Sequence, residues 1–414
     1  VKYRLALGSA VALGFARFAY GLVVPAMRDQ LGWSLADAGL QTTANGVGYL
    51  LGAIVVAMVI RRLGAARSFQ LGMVVTTLAL AATATTSSQL LQMFLRATAG
   101  LSGALVFVAG TVVAARLADR SALTVYFGGA GLGVALSGFV LPLLLDGNPD
   151  RWPTAWLLLA AGSLLATIIS WSAVSSVPPT PDAKAKLGRL WPVGVAYVLF
   201  GAGYIVYITF LTAYLKTEHS NAYEVAATWT LIGAAAIAGP ILWTRPLTTW
   251  RYARAMATLL ALQAIAAVLP LLRHSRTTVL ISAAIVGLTF LNVPASVAAL
   301  VRRTVPQHEW TAVIGTLTVL FAAGQTVGPG PAGWLADHFG AAAALGWTAI
   351  LCAAGALVAL SWKAESRRTR GSSASPAPGR SGPADAAQED ARSSAESQYG
   401  PSRRPTGPLR SDPG

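Results

Sequence analysis

The chain has 414 residues, 54% of them hydrophobic and only 11% charged, with a mean hydropathy of +0.57. Soluble domains carry about 25% charged residues, so a soluble globular fold is excluded and a polytopic membrane protein is the expectation. One cysteine, Cys352, excludes a disulfide framework and a cysteine-based metal site, and the net charge of +15 reads as basic loops on one side of a membrane rather than a nucleic-acid surface.

A helix needs about 20 apolar residues to cross a ~30 Å hydrocarbon core. The first such run, residues 5–27, is too long for a signal-peptide core and is followed by many more, so it reads as a retained helix. Within it, "LGFARFAYGLVVP" (13–25) carries Arg17 and Tyr20. At a rise of ~1.5 Å per residue, Arg17 stands ~18 Å from the inner end of the helix and ~15 Å from Met27, too deep for its side chain to snorkel to either surface. A charge at that depth faces a cavity or a partner. None of the sixteen acidic residues falls mid-membrane: Asp37, Glu224 and Glu309 open helices, and the others sit in loops or the tail. Two readings of Arg17 stand, an anchor for an anionic substrate group and a structural residue bonded to backbone carbonyls.

The second run, 37–60, carries Gln41, Asn45 and Tyr49 on one helical face. The third is 68–86. The fourth, 90–113, holds Arg96 about 10 Å from its outer end, within reach of the outer interface. Runs 121–145 and 154–173 complete a first set of six. The polar, Pro-rich stretch 174–190 reads as a linker. A second set follows: 192–215 with Tyr197, Tyr204 and Tyr207; 225–243; 255–272; 278–300 with Thr289, Asn292 and Ser296; 310–335 with Thr311, Thr318 and Gln325; and 341–361. These polar stripes either line a site or act as interhelical glue worth ~0.6–2 kcal/mol per hydrogen bond. Residues 363–414, rich in Ser, Pro, Gly, Ala and Arg, are expected to be a disordered tail. The expected fold is all-α, with twelve transmembrane helices: an N-terminal six-helix bundle (1–173), a linker (174–190), a C-terminal six-helix bundle (191–362) and the tail. With the N-terminus inside, fifteen Lys and Arg fall on inner segments up to the eleventh helix, against five outside (Arg28, Arg151, Lys216, Arg273 and Arg276). That bias places both termini in the cytoplasm and the protein in the cell (inner) membrane.

Sliding the chain by 187 residues aligns the two sets without a gap. Gly14 meets Gly201, Tyr20 meets Tyr207, Asp37 meets Glu224, Gly100 meets Gly287, Arg116 meets Arg303, Pro142 meets Pro329 and Asp150 meets Asp337. Parallel repeats of this kind place a substrate near mid-membrane between the halves. The repeat is asymmetric where it matters: Arg17 meets Tyr204, Arg96 meets Ala283 and Asn45 meets Ile232. A carboxylate held by one half and an apolar or aromatic body held by the other is the arrangement this suggests. Two enzyme-like patterns carry little. "GGAGLG" (128–133) lacks the spacing and the preceding strand of a nucleotide loop, and the G-x-S-G match at 100–103 has no intramembrane histidine to serve as base.

Over about residues 1–362 the chain resembles the major facilitator superfamily of transporters. "FLRATAGLSGALVF" (94–107) is similar to its fourth-helix R-x-x-x-G pattern through Arg96 and Gly100, and "AAGQTVGPGPAG" (322–333) to its G-x-x-x-G-P helix through Gly324, Gly328 and Pro329. "GGAGLGVALSGFVLP" (128–142) is a looser counterpart. The loop motif G-x-x-x-D-R-x-G-R-R survives as "AMVIRRLGAAR" (57–67), where Arg62 and Gly64 fit, Ala57 replaces the first Gly and Arg61 replaces the Asp. In the family that Asp helps latch one conformation, so its replacement leaves the latch in question. Within the superfamily, "GFARFAYGLVVPAM", "LGWSLADAG", "LFGAGYIVYITFL" and "GQTVGPGPAGWLAD" resemble the YbfB/YjiJ-like group. The resemblance implies a cavity lined by helices 1, 2, 7, 10 and 11, and a fourth-helix Arg that helps proton coupling.

Together these readings give a non-enzymatic secondary transporter without cofactor or metal, monomeric, moving a small organic anion or zwitterion by alternating access, with a proton as candidate coupling ion. Its expected substrate-binding residues are Arg17, Tyr20, Gln41, Asn45, Tyr49, Tyr204, Tyr207, Asn292 and Gln325. Its expected coupling or gating residues are Arg96, Gly100, Asp37, Glu309, Arg61, Arg62, Gly64, Gly328 and Pro329. The alternatives are broad efflux of lipophilic or cationic compounds and a non-transporting sensor on the same fold.

Overall fold

A computed structural model describes residues 1–119, 121–174, 187–250 and 253–362. Most of the expected linker and the whole 363–414 tail lie outside these residues. Among the described residues all regular structure is helical, and eleven helices are long and apolar enough to cross a membrane. The second of them, Leu35–Thr83, has 49 residues. Straight, it would span ~73 Å, more than twice a hydrocarbon core. It is broken at Gly64, where φ is 81° and ψ 158°, a region essentially restricted to glycine. Its packing on the next helix, Gln89–Arg116, reverses at that point. Before the break, Gly48 lies against Ala97 and Gly52 against Leu101; after it, Gly72 lies against Val106, Thr76 against Ser102 and Thr83 against Gln92. The described residues therefore make twelve passes: α1 (Lys2–Leu31), α2 (35–63), α3 (65–83), α4 (Gln89–Arg116), α5 (Ala122–Leu145), α6 (Pro149–Ala173), α7 (Gly188–Thr217), α8 (Ala222–Thr249), α9 (Arg254–Leu272), α10 (Arg276–Thr304), α11 (Gln307–Phe339) and α12 (Ala342–Ser361).

Side-chain chemistry sets the helix starts. Ser34 accepts from the Asp37 amide while Asp37 accepts from the Ser34 amide, a capping box that opens α2. Asn221 and Glu224 repeat that box at α8, 187 positions later. Gly32, with φ 67°, ends α1 in the left-handed conformation. Two later helices are interrupted: α10 between Phe290 and Asn292, and α11 at Gly328–Pro329.

Burial sorts the helices into layers. In their most apolar stretches α1 is 94% and α7 83% buried, whereas the others reach at most 61%. So α1 and α7 form the middle of the molecule. The outer helices present Leu51, Ile54, Phe94, Leu164, Ile168, Ile241 and Leu357 at their surfaces, an apolar coat far larger than a soluble protein tolerates. The protein is a multi-pass membrane protein. Small residues bring the two sets of six together. A Cβ on Gly21 of α1 would collide with the Ile208 carbonyl of α7, one on Gly39 of α2 with the Pro329 carbonyl of α11, and one on Gly233 of α8 with Ala135 of α5. The face carrying Lys2 and Gly64 is called proximal below, and that carrying Gly32 and the α2 N-terminus distal.

Candidate functional site

The centre of the site is set by a change of helical register. Residues Ala10–Phe18 of α1 form a π-helical segment, with the Ala19 amide donating to the Gly14 carbonyl five residues back (2.8 Å). Such segments are rare and concentrate at functional sites. Gly14 also packs directly on the Gly133 backbone of α5. Arg17 lies in the last turn of this segment and is 4% exposed.

Arg17 Nη2 donates to Gln325 Oε1 of α11 (2.6 Å), and Gln325 Nε2 donates to the Tyr204 hydroxyl of α7. The guanidinium lies over the Tyr49 ring of α2, 4.8 Å from its centroid. Four helices, two from each set of six, thus meet at one cation. The meeting depends on α7 and α11 lying close: Gly324 sits against the Val198 carbonyl and Gly201 against Phe321 and Gln325. No carboxylate among the described residues pairs with Arg17, and its Nε and Nη1 are buried without a hydrogen-bond acceptor. A guanidinium offers five donors in a fixed fork. Here part of that fork is unanswered in a low-dielectric setting, where an uncompensated charge costs several kcal/mol. An anionic group would relieve that cost.

Beside the polar triad stands an aromatic wall. Phe200 stacks on Tyr204 (4.6 Å between centroids), Phe321 on Tyr197 (4.6 Å) and on Tyr204 (5.7 Å), and Phe18 meets Phe290 edge-on (5.6 Å). Of these residues the sequence stripes pick out the tyrosines. The phenylalanines were legible only as the spacing Tyr197, Phe200, Tyr204 on one face of α7 and Phe321, Gln325 on one face of α11.

The other expected site residues fall elsewhere. Arg96 does not reach the outer interface. It is 1% exposed, donates from Nη1 to the Ala16 carbonyl (2.7 Å), and lies over the rings of Tyr20 (4.6 Å) and Trp156 (5.4 Å). Tyr20 belongs to this cluster and donates to the Ala38 carbonyl. Asn45 donates to the Arg96 carbonyl, at a crossing where Gly100 lets α4 touch the α2 backbone. Gln41 donates to the Gln89 carbonyl, and Gln89 to Asp37, whose carboxylate is occupied by the capping box. Tyr207 bonds Ser282 (2.7 Å), and Asn292 donates to Leu288 of its own helix beside Gly239. Thr289, Ser296 and Thr318 also bond their own helices, and the Thr311 side chain lies outside the described structure. Gly328 permits contact with Ala202, and Pro329 with Gly39. Arg61 and Arg62 are exposed beside Gly64, and Glu309 closes a short turn at the proximal end of α11, 3.5 Å from His308. The structure therefore gathers Arg17, Tyr49, Tyr204 and Gln325, and places the remaining candidates outside that group; among them Arg96, like Arg17, has two guanidinium nitrogens, Nε and Nη2, buried without an acceptor. Among the described residues no three His, Cys, Asp or Glu side chains gather to hold a metal ion.

Comparison with known proteins bears on this arrangement. A family model described as uncharacterised MFS-type transporter YbfB matches residues 9–362. Among curated proteins none matches. Similar solved structures include a variant of the nucleoside transporter NupG (TM-score 0.67, 11% identity, 87% of this chain and 98% of that one). The human organic anion transporter MFSD10 is also similar (0.58, 18%, 86% and 99%), as is a POT family transporter in complex with 5-aminolevulinic acid (0.65, 13%, 86% and 94%). At these identities the likeness concerns the fold.

Proposed function

The chain belongs to the family of the uncharacterised MFS-type transporter YbfB, and on that premise we propose that it is a secondary active carrier of small organic anions or zwitterions. One observation carries the reading: a buried guanidinium halfway along α1, partly unanswered, without a carboxylate partner among the described residues, and shared between helices of both sets of six. A carboxylate on the free edge of Arg17 would gain charge-assisted hydrogen bonds, while its apolar or aromatic body would lie along Tyr204, Phe200 and Phe321. Alternating access would follow from rocking α1–α6 (1–173) against α7–α12 (191–362) about this point. In the cell membrane, with both termini cytoplasmic, the proximal face is the inner one. The likeness to an organic anion transporter supports the reading at the level of fold.

The aromatic wall favours a second reading, efflux of lipophilic compounds. Thermal-shift measurement of the purified protein against a panel of metabolites and drugs separates the two. The expected best ligand is an organic anion whose stabilisation is lost in Arg17→Gln. A best ligand that is a cation, with the same shift in Arg17→Gln, would reverse the assignment.

A further inference from the structure

We infer that Asp337 is a conformational latch that holds the distal face closed, an inference that rests on the alternating-access reading. Its carboxylate spans the two sets of helices. Oδ1 accepts from the Leu35 amide (2.7 Å) and Oδ2 from the Ala36 amide (2.8 Å), at the first two positions of α2. The first amides of a helix have no intrahelical acceptor, and here each is accounted for. Ser34 Oγ takes the Asp37 amide from within the same segment, while Leu35 and Ala36 depend on a side chain some 300 residues away. The negative charge also meets the positive end of the α2 dipole. Gly333, one turn before Asp337, makes the approach possible, since a Cβ there would run into Leu35 and Ala36.

The arrangement is one-sided. The repeat equivalent of Asp337 is Asp150, and that of Leu35–Ala36 is Ala222–Tyr223. Among the described residues Asp150 makes no bond to α8. On the proximal face, Arg61 occupies the place where the resembling loop motif has an aspartate. The cross-set carboxylate bond therefore exists on the distal side, and separating α2 from α11 there leaves two amides and one carboxylate to be resolvated. Asp337 sets how often the distal face opens; it does not touch the Arg17 site.

The test uses the full chain with spin labels at Asp146→Cys and Arg273→Cys, exposed positions on distal loops of different sets, in a Cys352→Ala background. Pulsed electron–electron distances are compared for the parent, Asp337→Ala, Asp337→Asn and Leu35→Pro. Proline removes one of the two donors and suits the first helical position, because Ser34 before it is extended (ψ 170°). Asp337→Ala is expected to move the population about tenfold toward long distal distances, in line with the loss of hydrogen bonds to a charged acceptor. Leu35→Pro and Asp337→Asn should move it less and in the same direction. Distances unchanged in Asp337→Ala and Asp337→Asn would overturn the latch, whatever Leu35→Pro does to folding. If the distances shift but no organic ion is carried, the latch stands and the carrier reading falls. If flux is present and the distances stay, the latch alone falls.

Discussion

At the scale of single residues, Arg17 is, on the proposed carrier reading, both a liability to the fold and the anchor for the substrate. A buried charge without a counter-ion destabilises the fold until an anion meets it, so giving it a permanent partner should stabilise the protein and block binding. Gln325→Glu does this with one atom changed, placing a carboxylate where Gln325 Oε1 now accepts from Arg17 at 2.6 Å. The melting temperature is expected to rise and affinity for organic anions to fall at least tenfold, read by thermal shift with and without ligand. Arg96→Gln should behave differently. It removes a guanidinium whose Nε and Nη2 are likewise buried without an acceptor but which ties α4 to the Ala16 carbonyl and sits over Tyr20 and Trp156, so it is expected to cost about 0.5–3 kcal/mol of stability. The depth of Arg17 and its lack of an acidic neighbour were legible in the sequence, because both follow from counting residues along one helix. Its contact with Gln325, 308 positions away, was not, and neither was the burial of Arg96. Counting places Arg96 near the outer end of α4; the covering rings of Tyr20 and Trp156 come from other helices.

At the scale of elements, the regular helices were legible and their irregularities were not. Apolar run length places most passes to within a few residues, since crossing a hydrocarbon core fixes a minimum length; the largest misses are the end of α8 (243 expected, Thr249 found) and the start of α6 (154 expected, Pro149 found). The π segment of α1 has no such signature. Within it Gly14 meets the Gly133 backbone, where an added Cβ would stand 2.6 Å from the Gly133 Cα. Gly14→Ala is therefore expected to destabilise by about 1–3 kcal/mol through overpacking and to turn Arg17 away from Gln325. Loss of ligand-induced stabilisation beyond the loss in melting temperature would report the second effect. Gly64 shows the opposite case. The loop-motif resemblance marks it by sequence, and the structure supplies the reason, a φ of 81° with ψ 158° at the reversal between α2 and α3. Gly64→Ala should cost about 1–3 kcal/mol in strain, seen as a lower melting temperature with ligand affinity unchanged.

At the scale of the whole molecule, the 187-residue repeat was legible as spacing, and the capping boxes at Ser34–Asp37 and Asn221–Glu224 give it structural content. What each copy does with its polar residues was not legible, because that depends on contacts between the copies. On the proximal side, Asp119 accepts from Lys2 Nζ (2.6 Å) and from Ser121, and these bonds hold its carboxyl well below the usual carboxylate range. A depressed folded value means the contribution is present above an ordinary carboxylate pKa of about 4 and fades as the pH falls below it. The pair is exposed, so the effect is small. The melting-temperature difference between wild type and Asp119→Asn should be measurable near pH 7 and vanish in strong acid.

The central claim concerns charge at mid-membrane, and flux tests it most directly. The measurement is transport into proteoliposomes of the organic anion that most stabilises the purified protein, compared for wild type, Arg17→Lys and Arg17→Gln at equal insertion. Abolished transport in Arg17→Gln, with partial recovery in Arg17→Lys, is the expected result. Full transport by Arg17→Gln would contradict the account.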